Sequence, residues 1–163
     1  MTDSAHEGGC TCREIRYRVE AAPLIVHGCH CRWCQRESGS AFAVNALFVH
    51  SDVRLLAGTP ATILTPSASG KGQRIVRCPT CFVTVWSHYP QSGDLIKFIR
   101  VGTLDDPDRL PPDVHIYTTS KQPWVVLPDG APAVAEFYDP KSTWSADALA
   151  RFGAARAGAQ GNS

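Results

Sequence analysis

No surplus of charge marks this chain. Its 163 residues carry 16 Lys and Arg against 15 Asp and Glu, a formal net charge of +1. That balance gives no electrostatic reason to expect nucleic acid or an anionic membrane as partner. If the seven cysteines were thiolates on two dications, the net charge would move to about −2, further from a nucleic-acid binder. Long apolar runs are missing as well: none approaches the ~20 residues of a membrane helix. The opening "MTDSAHEGG" has neither the basic nor the apolar region of a signal peptide. The expectation is a cytoplasmic chain in which thiols stay reduced. An odd number of cysteines cannot close into a disulfide framework, so metal binding or catalysis is the better use for them.

What is present is a core. Apolar residues make up 44% and charged residues only 19%, which suits one folded domain rather than a disordered chain. The expected limits are a flexible start over 1–8, a single domain over 9–152 and a flexible Gly/Ala-rich tail over 153–163. The body reads as mainly β. Ile15, Tyr17 and Val19 alternate with Arg16 and Arg18, a strand pattern. "LIVHGC", "AFAVNALFVH", "VRLLAG" and "VHIY" read as further strands. "ATILT" with "QRIVRC", and "TVWSHY" with "LIKFIRVGTL", flank turns and read as hairpins. "RWCQRES" predicts a short helix ended by Gly39. "STWSADALARF" sets Trp144, Ala148, Leu149 and Phe152 at helical spacing near the C-terminus.

The cysteines fall into three groups: Cys10-x-Cys12, Cys29-x-Cys31-x-x-Cys34 and Cys78-x-x-Cys81. A C-x-x-C turn brings two sulfurs onto one ion with little strain. Residues i and i+2 of a strand share a face, so Cys10 and Cys12 are expected to aim together from a strand. Two partitions are open. Cys10, Cys12, Cys78 and Cys81 can form a closed four-sulfur site, leaving Cys29, Cys31 and Cys34 with one coordination position free. Three protein ligands and an exchangeable fourth are the arrangement of a catalytic zinc. Alternatively Cys31, Cys34, Cys78 and Cys81 form a zinc ribbon. Residues 35–77 would then separate the two pairs, against ~15–20 in ribbons, and three cysteines would have no shared role. Ligand counting favours the first.

Other residues carry less. His30 sits between two cysteines, where coordination would strain the backbone, so a supporting role fits it better. Arg32 and Arg36 can meet a substrate carboxylate or simply be solvated. Ser38, Gly39 and Ser40 read as the turn after the helix. Trp33, Trp86 and Trp124 read as core aromatics. Nothing assigns chemistry to His115 or Lys121.

"GGCTCREIRY", "CHCRWCQRESGSAF", "CPTC" and "HIYTTSKQPW", in this order, resemble the glutathione-dependent formaldehyde-activating enzyme family, whose domain is shared with centromere protein V. The resemblance runs from about Gly9 to Trp124. It implies a zinc-stabilised β-tent of stacked antiparallel sheets, with a short helix after the catalytic cysteines and a C-terminal helix. It implies two zinc ions. One is structural, on Cys10, Cys12, Cys78 and Cys81; the other is catalytic, on Cys29, Cys31 and Cys34. The implied activity is that of a carbon–sulfur lyase joining glutathione and formaldehyde as S-hydroxymethylglutathione. A zinc-stabilised binding or scaffold module without catalysis is the alternative. The chain departs from the family at Arg13 and at Phe82-Val83, where Gly and Gly-Thr are usual. Phe tolerates a positive φ poorly, so the knuckle at Cys81 is expected to bend differently.

Overall fold

The computed structural model describes residues 5–160. Ten strands and three helices follow one another along the chain: β1 (His6–Gly9), β2 (Arg16–Val19), β3 (Ile25–Cys29), α1 (Arg32–Ser38), β4 (Ala43–Val49), β5 (Val53–Ala57), β6 (Ala61–Thr65), β7 (Gln73–Arg77), β8 (Thr84–His88), β9 (Ile96–Arg100), β10 (Val114–Ile116), α2 (Pro140–Thr143) and α3 (Ala146–Gln160). The fold is mainly β, in two sheets. One has three strands in the order β1-β2-β5; the other has seven in the order β10-β3-β4-β9-β8-β7-β6.

Alternation along the strands builds two cores, one on each face of the larger sheet. Ile15, Tyr17 and Val19 are fully buried, as their spacing predicts, and pack with Val26, Phe48 and Ile99 between the two sheets. Tyr17 meets Trp86 edge-on at 5.7 Å, and its hydroxyl lies 2.6 Å from Thr103 Oγ1. The neighbouring positions in the same strands, Ile25 and Leu47, join Ile96 and Ile116 on the opposite face. Trp144, Ala148 and Phe152 from the C-terminal segment cover that second face.

Two expectations need correction. β10 pairs parallel with β3, Val114 opposite His27 and Ile116 opposite Cys29, whereas stacked antiparallel sheets were expected throughout. A parallel partner requires a crossover, and here most of the fold lies between the two strands. Regular structure also reaches beyond the expected 9–152 body. β1 begins at His6 and α3 continues to Gln160. Ser145 Oγ accepts the Ala148 N–H at 3.1 Å and starts α3. Its alanine-rich continuation has high helix propensity despite Gly153 and Gly158. Trp144 precedes this helix rather than lying in it. The remainder of the expected flexible ends, 1–4 and 161–163, lies outside the described residues.

Candidate metal centre and cavity

Each cysteine group sits on a turn that backbone hydrogen bonds hold rigid. Cys10 and Cys12 follow β1 in a turn, not on a strand as expected. The Arg13 N–H donates to Cys10 O at 3.0 Å, and the Ile15 N–H donates to Cys10 Sγ at 3.3 Å. The second knuckle repeats the pattern: the Phe82 N–H reaches Cys78 O at 3.1 Å, and the Cys81 N–H reaches Cys78 Sγ at 3.5 Å. Arg13 and Phe82 have φ of 67° and 61°. Both are therefore left-handed, and the expectation of a different bend at Cys81 is overturned. The turn keeps a conformation that suits glycine and accepts the strain of a side chain there.

The two knuckles meet. Cys10 Sγ lies 3.4 Å from Cys12 Sγ, which lies 3.6 Å from Cys78 Sγ. All four sulfurs of Cys10, Cys12, Cys78 and Cys81 fall within 4.8 Å of one another. Thr80 Oγ1 donates to Glu14, a further tie between the knuckles. Four convergent sulfurs are a donor set that fits a tetrahedral zinc.

Cys29, Cys31 and Cys34 form the second cluster, also within 4.8 Å, and all three are buried. Cys29 ends β3. Cys31 caps α1, its Sγ accepting the Cys34 N–H at 3.4 Å. Cys34 lies one turn on and points back toward it. Gly39, with φ of 64°, closes the helix, and Ser38 Oγ donates to Cys34 O at 2.7 Å, so Ser38 and Gly39 serve the turn. Hydrogen bonds from the Cys29 thiol, and then from Cys34, hold Cys31 far below a normal thiol, at about 3, while the contact with Cys31 drives Cys29 up. Without a cation, an ionised Cys31 holds the Cys29 and Cys34 thiols up, so each further ionisation is harder. A dication is what would let all three ionise together.

The ribbon partition is absent: Cys31 and Cys34 group with Cys29, and Cys78 and Cys81 with Cys10 and Cys12. His30 joins neither cluster. It is completely buried, with Nε2 3.0 Å from His115 Nδ1, its ring against Phe42 and its Nδ1 unpartnered. Gly28 makes room for this pair, since a Cβ there would lie 2.6 Å from His115 Nδ1. Gln35 ties the turn to the 118–122 segment. Its Nε2 donates to His30 O at 2.7 Å and Ser120 O at 2.9 Å, and its Oε1 accepts from Arg32 and Gln122. Lys121 Nζ is used on Val125 O at 2.6 Å. Trp86 is a core residue as expected, but Trp33 and Trp124 are 38% and 69% exposed.

The triple opens into a cavity of about 450 Å³ that sequence reasoning did not foresee. His27 and Leu47 line the sheet side, Tyr117 and Tyr89 the ends, and Trp144 and Phe152 the outer wall. The Tyr138 hydroxyl accepts the Trp144 Nε1–H at 2.9 Å and meets His27 Nε2, which burial keeps neutral by lowering its pKa to about 4. A signal for His27 was available: two residues before Cys29, it shares that residue's face of β3.

The family model described as glutathione-dependent formaldehyde-activating enzyme matches residues 5–120. The chain belongs to this family. Both cysteine clusters lie within the matched segment, whereas Trp144 and Phe152 lie beyond it. No curated protein matches the chain. Among solved structures, the crystal structure of a Rhodobacter sphaeroides protein is 22% identical. It covers 61% of this chain and 87% of its own, with a TM-score of 0.47. No helix among the described residues is long and apolar enough to cross a membrane.

Proposed function

We propose that the chain catalyses the reversible joining of a small thiol to an aldehyde, as a carbon–sulfur lyase. The family's named pair is glutathione and formaldehyde. One observation carries this reading: three buried cysteine sulfurs converge in the lining of a cavity with no fourth donor in their cluster among the described residues, while the other cluster has four. The four-sulfur set suits a structural zinc on Cys10, Cys12, Cys78 and Cys81, and the three-sulfur set a catalytic one on Cys29, Cys31 and Cys34. When bound there, zinc would supply a positive charge that favours a substrate thiolate or polarises an aldehyde oxygen.

The chain's own residues do the rest. The Cys34 N–H fixes the Cys31 sulfur, and Gln35 fixes the turn that carries Cys29 and Cys31. Leu47, Phe98 and Ile116 give the cavity beside the sulfurs apolar walls. A domain body with seven free thiols suits a reducing, cytoplasmic setting.

The test is the rate of adduct formation by zinc-loaded protein, with formaldehyde and several thiols, measured against the spontaneous rate. A rate above background that Cys31→Ser removes supports the proposal. No acceleration with any thiol refutes catalysis and leaves a metal-stabilised binding module.

A further inference from the structure

The cavity has a chemical bias of its own. None of the residues lining it is Lys, Arg, Asp or Glu. Arg100, the cation nearest in register, does not line the space; it is bonded to Asn45 Oδ1 and Ser87 Oγ, and its charge acts at Cys34, beside the sulfurs rather than at the outer walls. Arg32 is bonded to Gln35, and neither Arg32 nor Arg36 lines the space. The histidine in the wall, His27, is neutral and bonded to Tyr138. The walls are mostly apolar and aromatic, with Asn45, Ser67, Ser69, Gln91 and Ser92 as uncharged polar members. Leu47, Ile96 and Phe98 come from the sheet, and Phe137, Trp144 and Phe152 from the C-terminal segment. That last group lies outside the residues matched to the family.

Glutathione carries two carboxylates and an ammonium. Entering this cavity would take those charges out of water with no charged lining residue opposite them among the described residues, which is unfavourable. An uncharged apolar body would gain from every wall. We infer that the thiol taken by this site is an uncharged arylalkyl thiol rather than glutathione, its sulfur at Cys29, Cys31 and Cys34 and its ring between the sheet and the Trp144–Phe152 wall. The inference rests on the thiol–aldehyde reading above and names its substrate class. The step balances without further reactants. The thiol sulfur forms a bond to the aldehyde carbon, the C=O π bond breaks, and the thiol proton ends on the oxygen, giving a hydroxymethyl thioether from formaldehyde.

The experiment uses the full chain and two probes, benzyl mercaptan and glutathione. Calorimetry on the zinc-loaded protein gives each Kd. The cobalt-substituted protein reports, through its sulfur-to-cobalt absorption, whether the probe's sulfur reaches the metal. Benzyl mercaptan is expected to bind at least tenfold more tightly and to change the cobalt spectrum. Phe137→Arg, at a position half exposed and lining the cavity, should fold normally and narrow or reverse that preference by supplying a cation. Equal or tighter binding of glutathione, or a preference unmoved in Phe137→Arg, overturns the inference alone. If neither thiol changes the cobalt spectrum, the thiol–aldehyde reading falls with it.

Discussion

Gly28→Ala tests how the reactive turn is held in place. Gly28 lies in β3 between Val44 on one side and His115 on the other. An added Cβ would come within 2.6 Å of His115 Nδ1 and 2.9 Å of its Cε1. The ring has little freedom to retreat: it is 95% buried, bonded to His30 at 3.0 Å and edged by Phe42. Overpacking of this kind costs about 1–3 kcal/mol. Displacing the ring also breaks a buried hydrogen bond worth about 1 kcal/mol. Alanine in a strand recovers about 0.5–1 kcal/mol relative to glycine. The net loss should be about 2 kcal/mol, or a urea midpoint lowered by about 1 M for a slope near 2 kcal/mol/M. His30 lies between Cys29 and Cys31, so the metal at that cluster should also become easier to strip with a chelator. The control is His115→Ala, which removes the obstacle. In that background Gly28→Ala should cost nothing and gain up to the strand term of about 0.5–1 kcal/mol, a strongly non-additive pair. An equal cost in both backgrounds, or none in the wild type, would refute the steric account.

Further predictions concern the two clusters and the buried histidines. Cys31→Ser should abolish adduct formation while denaturation curves stay near wild type, whereas Cys78→Ser should unfold or aggregate the chain, because a closed site contributes folding energy; equal destabilisation by both would show the roles to be wrongly divided. Removing all metal with a strong chelator should lower the denaturation midpoint, and restoring only the four-sulfur site should recover most of it. Phe82→Gly relieves a left-handed φ of 61° at a position 66% exposed and should stabilise by about 0.5–1 kcal/mol, while Phe82→Ala should not. His88, with Nδ1 3.0 Å from Ile96 O, has its pKa lowered by burial. The unfolded chain therefore takes up a proton near pH 6.5 that the folded chain refuses. Stability should fall as pH drops from about 6.5 toward the lower folded pKa and then level off; His88→Gln should flatten that part of the urea-midpoint profile.

Local patterns made much of this legible. Ile15, Tyr17 and Val19 announce a strand by alternation, and the β6–β7 and β8–β9 hairpins by turn residues between apolar runs. The cysteine spacing, with ligand counting, anticipates the two groupings of sulfurs because Cys29, Cys31 and Cys34 lie within six residues, while the Cys10 and Cys78 knuckles each supply two of the other four. What the residues did not reveal is set by distant partners. Cys10 and Cys12 look like strand neighbours, yet the opposing Cys78 knuckle draws them into a turn. Arg13 and Phe82 have poor left-handed propensity, and the sulfur cluster overrides it. β10 is three residues long, and only its pairing with His27–Cys29 makes it parallel. The cavity wall is hardest of all, since Trp144 and Phe152 meet the sulfurs only after the whole chain has folded.

The four-sulfur junction also orders events in time. Cys12 and Cys78 sit 66 positions apart and end 3.6 Å from each other. Synthesis runs from the N-terminus, so the first two thiols leave the ribosome well before their partners exist. During that interval the nascent chain carries two cysteine thiols without their cluster partners, on an N-terminal hairpin that only β5 joins. For this architecture, a metal that all four sulfurs hold can act on the new chain only once residue 81 has emerged.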